Sequence, residues 1–519
     1  MGRVIIFRPA IVLIAALLVT YSVFDTNALA QRGSGGRGGG GGGGGRNARW
    51  PPPPPPAPEV NGIRLEVGWI SREPSLPPPE TLTAPREQGW PRPGSAVHWV
   101  AHVLNRSPST ARGVPYEWWI DGRRVHGGIA DFAPGATEML LPWTWTFARH
   151  AISFRIAPPN GTGDPTENSW ELTVESNALS FALLAHKSLY GWMLESGRPG
   201  IERLFQFEIR RWNALLARAV SPSTPEGVVD RLRLDRLVVM PDGTTPRALD
   251  FMVADFCWFF PAENRDARFM SQTMDLNRLG EQTIVLHELL HERGLTDTYD
   301  YDVLHQWATG GSKVEIAEDG RRVAGTFLMP ARFASNLGMV LYRRPIQGLM
   351  SSLYRRNASL DEVSANGLNL IAGRRTPMWR DQWGNLISLG NATNPDSYVF
   401  KIPQYTDVQL LDDRGAAIGH ATVDVYTDHS PWAYHDSYLP SPDATFLADA
   451  NAVVALPREA LLQSTPTDGP PKSRVTIIGV RSPRGRGFAF VPVYDLNRLY
   501  FRGGRERAAM SLTVKLHPW

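Results

Sequence analysis

The sequence predicts a multidomain fold in which an α+β domain is flanked by N- and C-terminal all-β sandwich domains. Three observations predict it. Apolar residues recur with period two between about 97 and 156, the spacing of half-buried strands. From about 179 the period lengthens toward that of a helix. After about 378 it shortens again.

Residues 1–30 read as a secretory signal. Arg3 and Arg8 form a positive start, Ala10–Val19 an apolar run, and Ala28-Leu29-Ala30 a small-residue cleavage site. The apolar run is short beside the ~20 residues a spanning helix needs, so cleavage is expected rather than anchoring. The expected location is secreted, extracellular or cell-envelope, with no transmembrane span after signal cleavage. Residues 31–59 form a Gly/Pro-rich linker: a glycine run to Gly45 gives flexibility, and Pro51–Pro56 a stiff polyproline spacer.

Residues 60–178 are expected to form a β-sandwich. Val97 and Trp99 lie in one alternating run, and Tyr116, Trp118 and Ile120 in another. Met139, Leu141, Trp143, Trp145 and Phe147 form a third, and Ile152, Phe154 and Ile156 a fourth. Turns are signalled at Asp121-Gly122, Pro134-Gly135 and Pro158–Gly161. Together with an Asn105 loop, the Trp118–Gly122 turn and a late Glu167-Asn168, this order of features resembles the CARDB-type sandwich of bacterial adhesion-related proteins.

Residues 179–377 carry the helical signal. Ile201, Leu204, Phe205, Trp212, Leu215, Leu216 and Ala219 mark one helix face, preceded by Pro199-Gly200. Leu234–Met240 reads as a strand ended by Pro241-Asp242-Gly243, and Phe251–Phe260 as a second apolar stretch. A further helix is expected from about Leu279 to Arg293. Residues 378–519 return to strands at Val423 and Val425, Val475–Val480 and Phe488–Val493, with a turn at Asp412–Gly415. Arg481, Arg484, Arg486, Arg502, Arg505 and Arg507 make this end basic; a solvated face is the main reading, contact with an acidic wall polymer the minor one.

Composition narrows the function. A net charge of +3 over 519 residues leaves no electrostatic footprint for nucleic acid. The single cysteine, Cys257, excludes an intrachain disulfide and is expected to be a small buried hydrophobe rather than a reactive thiol. The 17 tryptophans point to aromatic-rich cores or aromatic contact surfaces.

The chemistry is concentrated in Val285–Asp297, VLHELLHERGLTD. Positions four apart share one helix face, so His287 and His291 project together and can ligate one ion. Glu288 stands beside them as a candidate general base. A catalytic zinc needs a third protein ligand and an open position. Gly294 can take a positive φ and reverse the chain, which would offer Asp297 as that ligand. His305 is a rival third ligand, though a surface histidine is the plainer reading, and Glu292 is expected to face solvent.

The stretch His287–Asp300 resembles the metzincin clan of zinc endopeptidases, in particular the aspartate-ligand branch that includes snapalysin and the immune-inhibitor-A-like enzymes. Thr296 departs from the proline usual there. The resemblance implies a metzincin-like catalytic domain over residues 179–377 with Zn2+ as cofactor. It also implies a methionine turn beneath the metal, followed by a C-terminal helix. Met350 in Gln347–Ser352 is the first candidate for that turn, and Met329 in Thr326–Pro330 the second. Ser359–Glu362 reads as a capping box. After it come a helix face of Leu360, Val363, Leu368 and Ile371, and Gly373 at its end. The family's tyrosine two residues past the methionine is replaced by Ser352; Tyr354 is a weak substitute. Tyr299 and Asp300 are expected to shape the loop around the ligands.

Two functions follow as expectations. One is a secreted zinc endopeptidase acting on a protein or peptide substrate. Its sandwich domains would contact substrate, the cell envelope or an extracellular polymer. The other is a non-catalytic surface adhesion or scaffold protein with a structural or vestigial metal site.

Overall fold

The alternating segment pairs as expected in the computed structural model. Seven strands are β1 (Leu65–Glu73), β2 (Ala96–Asn105), β3 (Ala111–Ile120), β4 (Arg123–Phe132), β5 (Gly135–Thr144), β6 (Ala151–Ile156) and β7 (Glu171–Glu175). They form two sheets of order β1-β2-β5 and β4-β3-β6-β7, every pairing antiparallel. Trp99, Trp118, Trp145, Phe132 and Phe154 fill the space between them, with Trp118 edge-on to Phe154 at 4.8 Å. This is a β-sandwich. The Asp121-Gly122 hairpin turn has φ of 50° and 75°, values that a twisted two-residue turn demands. Phe147 departs from expectation. The fifth strand ends at Thr144, so Phe147 sits in the following turn and is 62% exposed, although Trp145 still tucks inward.

The structure describes residues 62–74, 90–157, 170–195, 200–244, 254–260 and 262, then short stretches between 286 and 388, and residues 398–427, 438–439, 441–462 and 475–519. The short stretches are 286–287, 289–290, 293–295, 298, 303–305, 315–318, 321–324, 332–334, 338–342, 346, 348–351, 359–373, 378–380 and 386–388. The expected signal, the Gly/Pro linker, the Pro158–Gly161 turn and Glu167-Asn168 lie outside the described residues. Among the described residues no helix is long and apolar enough to cross a membrane.

The middle segment opens with a strand that the periodicity does not announce. Residues Ala178–His186, ALSFALLAH, form β8 and are buried throughout. A strand covered on both faces reads as a continuous apolar run, which period counting cannot separate from a buried helix. β8 is central in a three-stranded sheet, flanked by β9 (Arg231–Met240) and β10 (Phe256–Phe260), all parallel. The connection from β8 to β9 carries α1 (Lys187–Glu195) and α2 (Ile201–Ala217). Ile201, Leu204, Phe205, Trp212 and Leu216 are the buried face of α2, with Leu215 at its margin. Gly200 precedes its first turn, as Pro199-Gly200 suggested.

Shorter strands β11 (Val303–His305) to β15 (Gly338–Tyr342) follow, then a 3-10 turn Leu349–Ser351 and helix α3 (Glu362–Leu370). The capping box at Ser359–Glu362 does not form. Asp361 is the N-cap instead: its side chain accepts from the amides of Val363 and Ser364 and from the Ser364 hydroxyl, at 3.1, 3.0 and 2.6 Å. Leu360, Val363, Leu368 and Ile371 are buried, and Gly373 past the helix end has φ of 68°.

After β16 and β17 (Met378–Arg380 and Leu386–Ser388) come β18 (Tyr405–Asp412), β19 (Thr422–Tyr426), β20 (Tyr438–Leu439), β21 (Ala444–Leu447), β22 (Val453–Pro457), β23 (Val475–Ser482), β24 (Gly485–Pro492) and β25 (Arg507–Val514). The C-terminal part holds two sheets, β22-β18-β25 and β21-β19-β23-β24. Val408, Leu410, Val423, Val425, Val480 and Leu512 lie in its core. One pairing, β18 (Tyr405–Asp412) with β25 (Arg507–Val514), is parallel. The expected strand Phe488–Val493 stops at Pro492, and helix α4 (Val493–Phe501) begins there. The basic end is neutralised from within. Arg481 pairs with Asp424, Arg484 with Asp412, Arg502 with Glu362 and Arg507 with Asp407. Arg486 and Arg505 lie over the rings of Trp519 and Tyr500.

Candidate metal centre

The Val285–Asp297 motif is helical at Leu286, His287, Leu289 and Leu290. The three leucines recur at the spacing of one helix face and enter the core of the middle segment. That packing fixes the helix against β8 and β10. His287 is carried inward with them and is 3% exposed. Its Nδ1 lies 3.1 Å from the Leu349 carbonyl. A carbonyl oxygen only accepts, so Nδ1 carries a proton, and in the neutral ring the lone pair is on Nε2. Metal-binding imidazoles are held in this way, one nitrogen tied to a carbonyl or carboxylate so that the other is correctly aimed.

The Leu349 carbonyl belongs to the 3-10 turn whose second residue, Met350, is fully buried. The turn is held from behind by the Leu349 amide, which donates to the Ser359 carbonyl at 2.7 Å. Gly348 admits the close approach of Asp361; a Cβ there would stand 3.0 Å from Asp361 Oδ2. Burial holds the Asp361 carboxyl above its usual range, an effect its hydrogen bonds from Ser364 partly offset.

The helix ends at Arg293. Its amide donates to the Leu289 carbonyl at 3.1 Å, and the Leu295 amide closes the longer loop to Leu290 at 3.0 Å. Gly294 between them has φ of 86°. This is the Schellman closure, with the left-handed position taken by the residue that tolerates it. Leu290 and Leu295 share the same core.

Arg293 itself is buried. Its Nη2 donates to Asp230 Oδ2 at 2.9 Å and to the Ile371 carbonyl at 3.0 Å. Asp230 Oδ1 accepts from the Gly373 amide at 2.9 Å. Burial pushes the Asp230 carboxyl up to about 6, and Arg293 offsets part of that rise. A cavity of about 20 Å³ lies behind the helix, bordered by Leu179, Leu232, Leu286, Leu290 and this ion pair. It has room for a single water and none for a peptide.

Glu288, His291, Glu292, Asp297, Tyr299, Asp300, Met329, Ser352 and Tyr354 lie outside the described residues. His305 is in β11 and Cys257 in β10, with their side chains outside the description. Among the described residues no three His, Cys, Asp or Glu side chains are grouped to hold a metal. The described part of the motif therefore contributes one donor, His287, already oriented, and the glycine-closed end of its helix. Sequence reasoning did not find Asp230 and Arg293. A basic residue in the last helical turn was a faint signal for Arg293. Nothing local marks Asp230, 63 residues away.

No protein-family model matches the chain, and no curated protein matches it. It is similar over short spans to solved structures. A CARDB domain from Pyrococcus furiosus, crystallised with di-metal ions, is 13% identical with a TM-score of 0.17, covering 23% of this chain and 94% of that one. The solution structure of the same domain gives the same identity and score over 22% of this chain. Catechol 1,2-dioxygenase of Acinetobacter radioresistens is 12% identical with a TM-score of 0.13, covering 24% of this chain and 56% of that one. The sandwich assignment rests on the strand pairing alone.

Proposed function

We propose that the chain is a secreted zinc endopeptidase of metzincin type. The observation that carries this reading is the buried His287, whose Nδ1 is tied to the carbonyl preceding the buried Met350. Any buried imidazole needs an acceptor for its N–H. What favours a ligand here is that the acceptor lies in the turn of a buried methionine and that His287 stands in the H-E-x-x-H spacing. Met350 is accordingly read as the methionine turn in preference to Met329. In this reading His287, His291 and Asp297 hold the ion, a donor set of two imidazoles and one carboxylate that suits zinc.

Zinc supplies a Lewis acid that polarises the scissile carbonyl and acidifies a water at neutral pH. The chain's own part is positional and protolytic. The Leu349 carbonyl fixes the His287 ring, and the Gly294 closure directs the following segment. Glu288 takes the proton of the attacking water on its carboxylate and returns it to the leaving amine. The N-terminal sandwich, read as CARDB-like, places the catalytic segment against substrate or the cell envelope.

Glu288→Gln tests the assignment. The variant should keep its zinc, measured by atomic absorption, and lose casein cleavage by about 10²–10⁴-fold, the usual contribution of a general base. Undiminished cleavage would remove Glu288 from the role. Stoichiometric zinc with no cleavage by the wild type would favour the scaffold reading instead.

A further inference from the structure

We infer that the buried Arg293–Asp230 ion pair is a positioning device for the metal centre, the second of two anchors that set the orientation of the motif helix. The inference rests on the zinc reading above and deepens it.

The helix is held at two points on either side of the His287–His291 interval. The first is the His287 Nδ1 bond to Leu349, in the turn whose Leu349 amide is bonded to the Ser359 carbonyl ahead of α3. The second is Arg293, which reaches the Ile371 carbonyl just after α3. The two anchor residues are six positions apart, about 9 Å along a helix. One runs to the turn bonded to the segment entering α3 and the other to the C-cap of α3, so they set the tilt and rotation of the motif helix together. One anchor alone would leave rotation about a single contact.

The chemistry of the second anchor suits registration better than stability. Arg293 is 4% exposed and Asp230 likewise 4%. Desolvating two charges costs about as much as their attraction returns, so an apolar pair of similar size often serves stability as well. An ion pair adds direction. The planar Nη2 group of Arg293 directs its bonds at the Asp230 carboxylate and the Ile371 carbonyl together, so it fits one arrangement of the two. Asp230 repeats that constraint on the Gly373 amide. The cation also sits at the helix C-terminus, where the helix dipole favours it.

The test uses the full chain and zinc itself. Zinc affinity is measured by competition with a chromophoric chelator, and Tm is measured on the metal-free protein. The Arg293→Met, Asp230→Leu double variant removes both charges together and leaves no unpaired buried charge, while losing the bonds to the Gly373 amide and the Ile371 carbonyl. Its metal-free form should stay folded with a modestly lowered Tm while zinc affinity falls about 10–100-fold, the usual cost of losing a group that orients a ligand. Arg293→Lys keeps the charge without the planar guanidinium and serves if the double variant does not fold; its affinity should fall in the same direction. Wild-type affinity in either variant overturns the inference. So does an affinity loss that appears only where the metal-free Tm has collapsed. If the wild type binds no zinc, the underlying reading fails first and takes the inference with it, a result distinct from normal wild-type binding with unaffected variants.

Discussion

His102 shows how one side chain carries a pH response that no motif announces. It stacks on Trp69 at 4.4 Å and its Nε2 meets the Ser71 hydroxyl at 2.8 Å. Burial pulls its pKa down to about 4, against a smaller upward pull from Asp235. The folded state therefore holds His102 neutral where the unfolded chain already binds a proton. Stability from this group is complete above the unfolded value near 6.5 and is lost as pH falls toward 4. The loss is on the order of 3 kcal/mol, at about 1.4 kcal/mol for each tenfold change in proton affinity. His102→Gln removes the titration and keeps a partner for Ser71. The stability gap between wild type and variant should shift toward the variant as urea melts are taken from pH 7 to pH 4. A constant gap would contradict the buried neutral histidine.

At the scale of the element, the motif helix depends on its end. Gly294 at φ of 86° lies in the region where a side chain costs about 1–2 kcal/mol. Gly294→Ala should therefore lower Tm by that equivalent and weaken zinc binding as well, measured by calorimetry beside chelator competition. A neutral substitution would mean that the turn relaxes freely and directs nothing. The amphipathic face of α2 and the glycine of the Schellman turn were legible in advance, because each is dictated by local spacing and local backbone freedom. The N-cap of α3 was not. Ser359 and Asp361 are both competent capping residues; Asp361 takes the role where Gly348 leaves room for its carboxylate and Ser364 donates to it.

For the whole molecule, the sandwich and the α/β layer are joined by buried charge as well as by packing. Trp69 and Leu104 of the sandwich belong to the core of the middle segment. Arg106 pairs with Glu66 at 2.8 Å, bonds the Tyr190 hydroxyl at 2.8 Å and meets Glu202 on α2. Burial drives Glu202 above the ordinary carboxylate range and Tyr190 up to about 12, while Arg106 pulls both back. Arg106→Met strands two buried carboxylates and should cost about 3–5 kcal/mol. Because the cores are shared, near- and far-ultraviolet circular dichroism should still melt together at the lowered Tm. Two separated transitions would show that the layers fold independently.

The sequence by itself determined the β-sandwich at the N-terminus, the face of α2, the strand signal before Pro241 and the helix-ending role of Gly294. Each is written in periodicity or in the allowed backbone angles of one residue. Only the tertiary structure decided that Ala178–His186 is a central strand, that Asp361 caps α3, and that the C-terminal arginines are largely paired within the fold. It also decided that His287 meets the Leu349 carbonyl and Arg293 meets Asp230. These depend on partners 62 and 63 residues away, brought together by the burial of apolar surface, and no local window of sequence contains both members of such a pair.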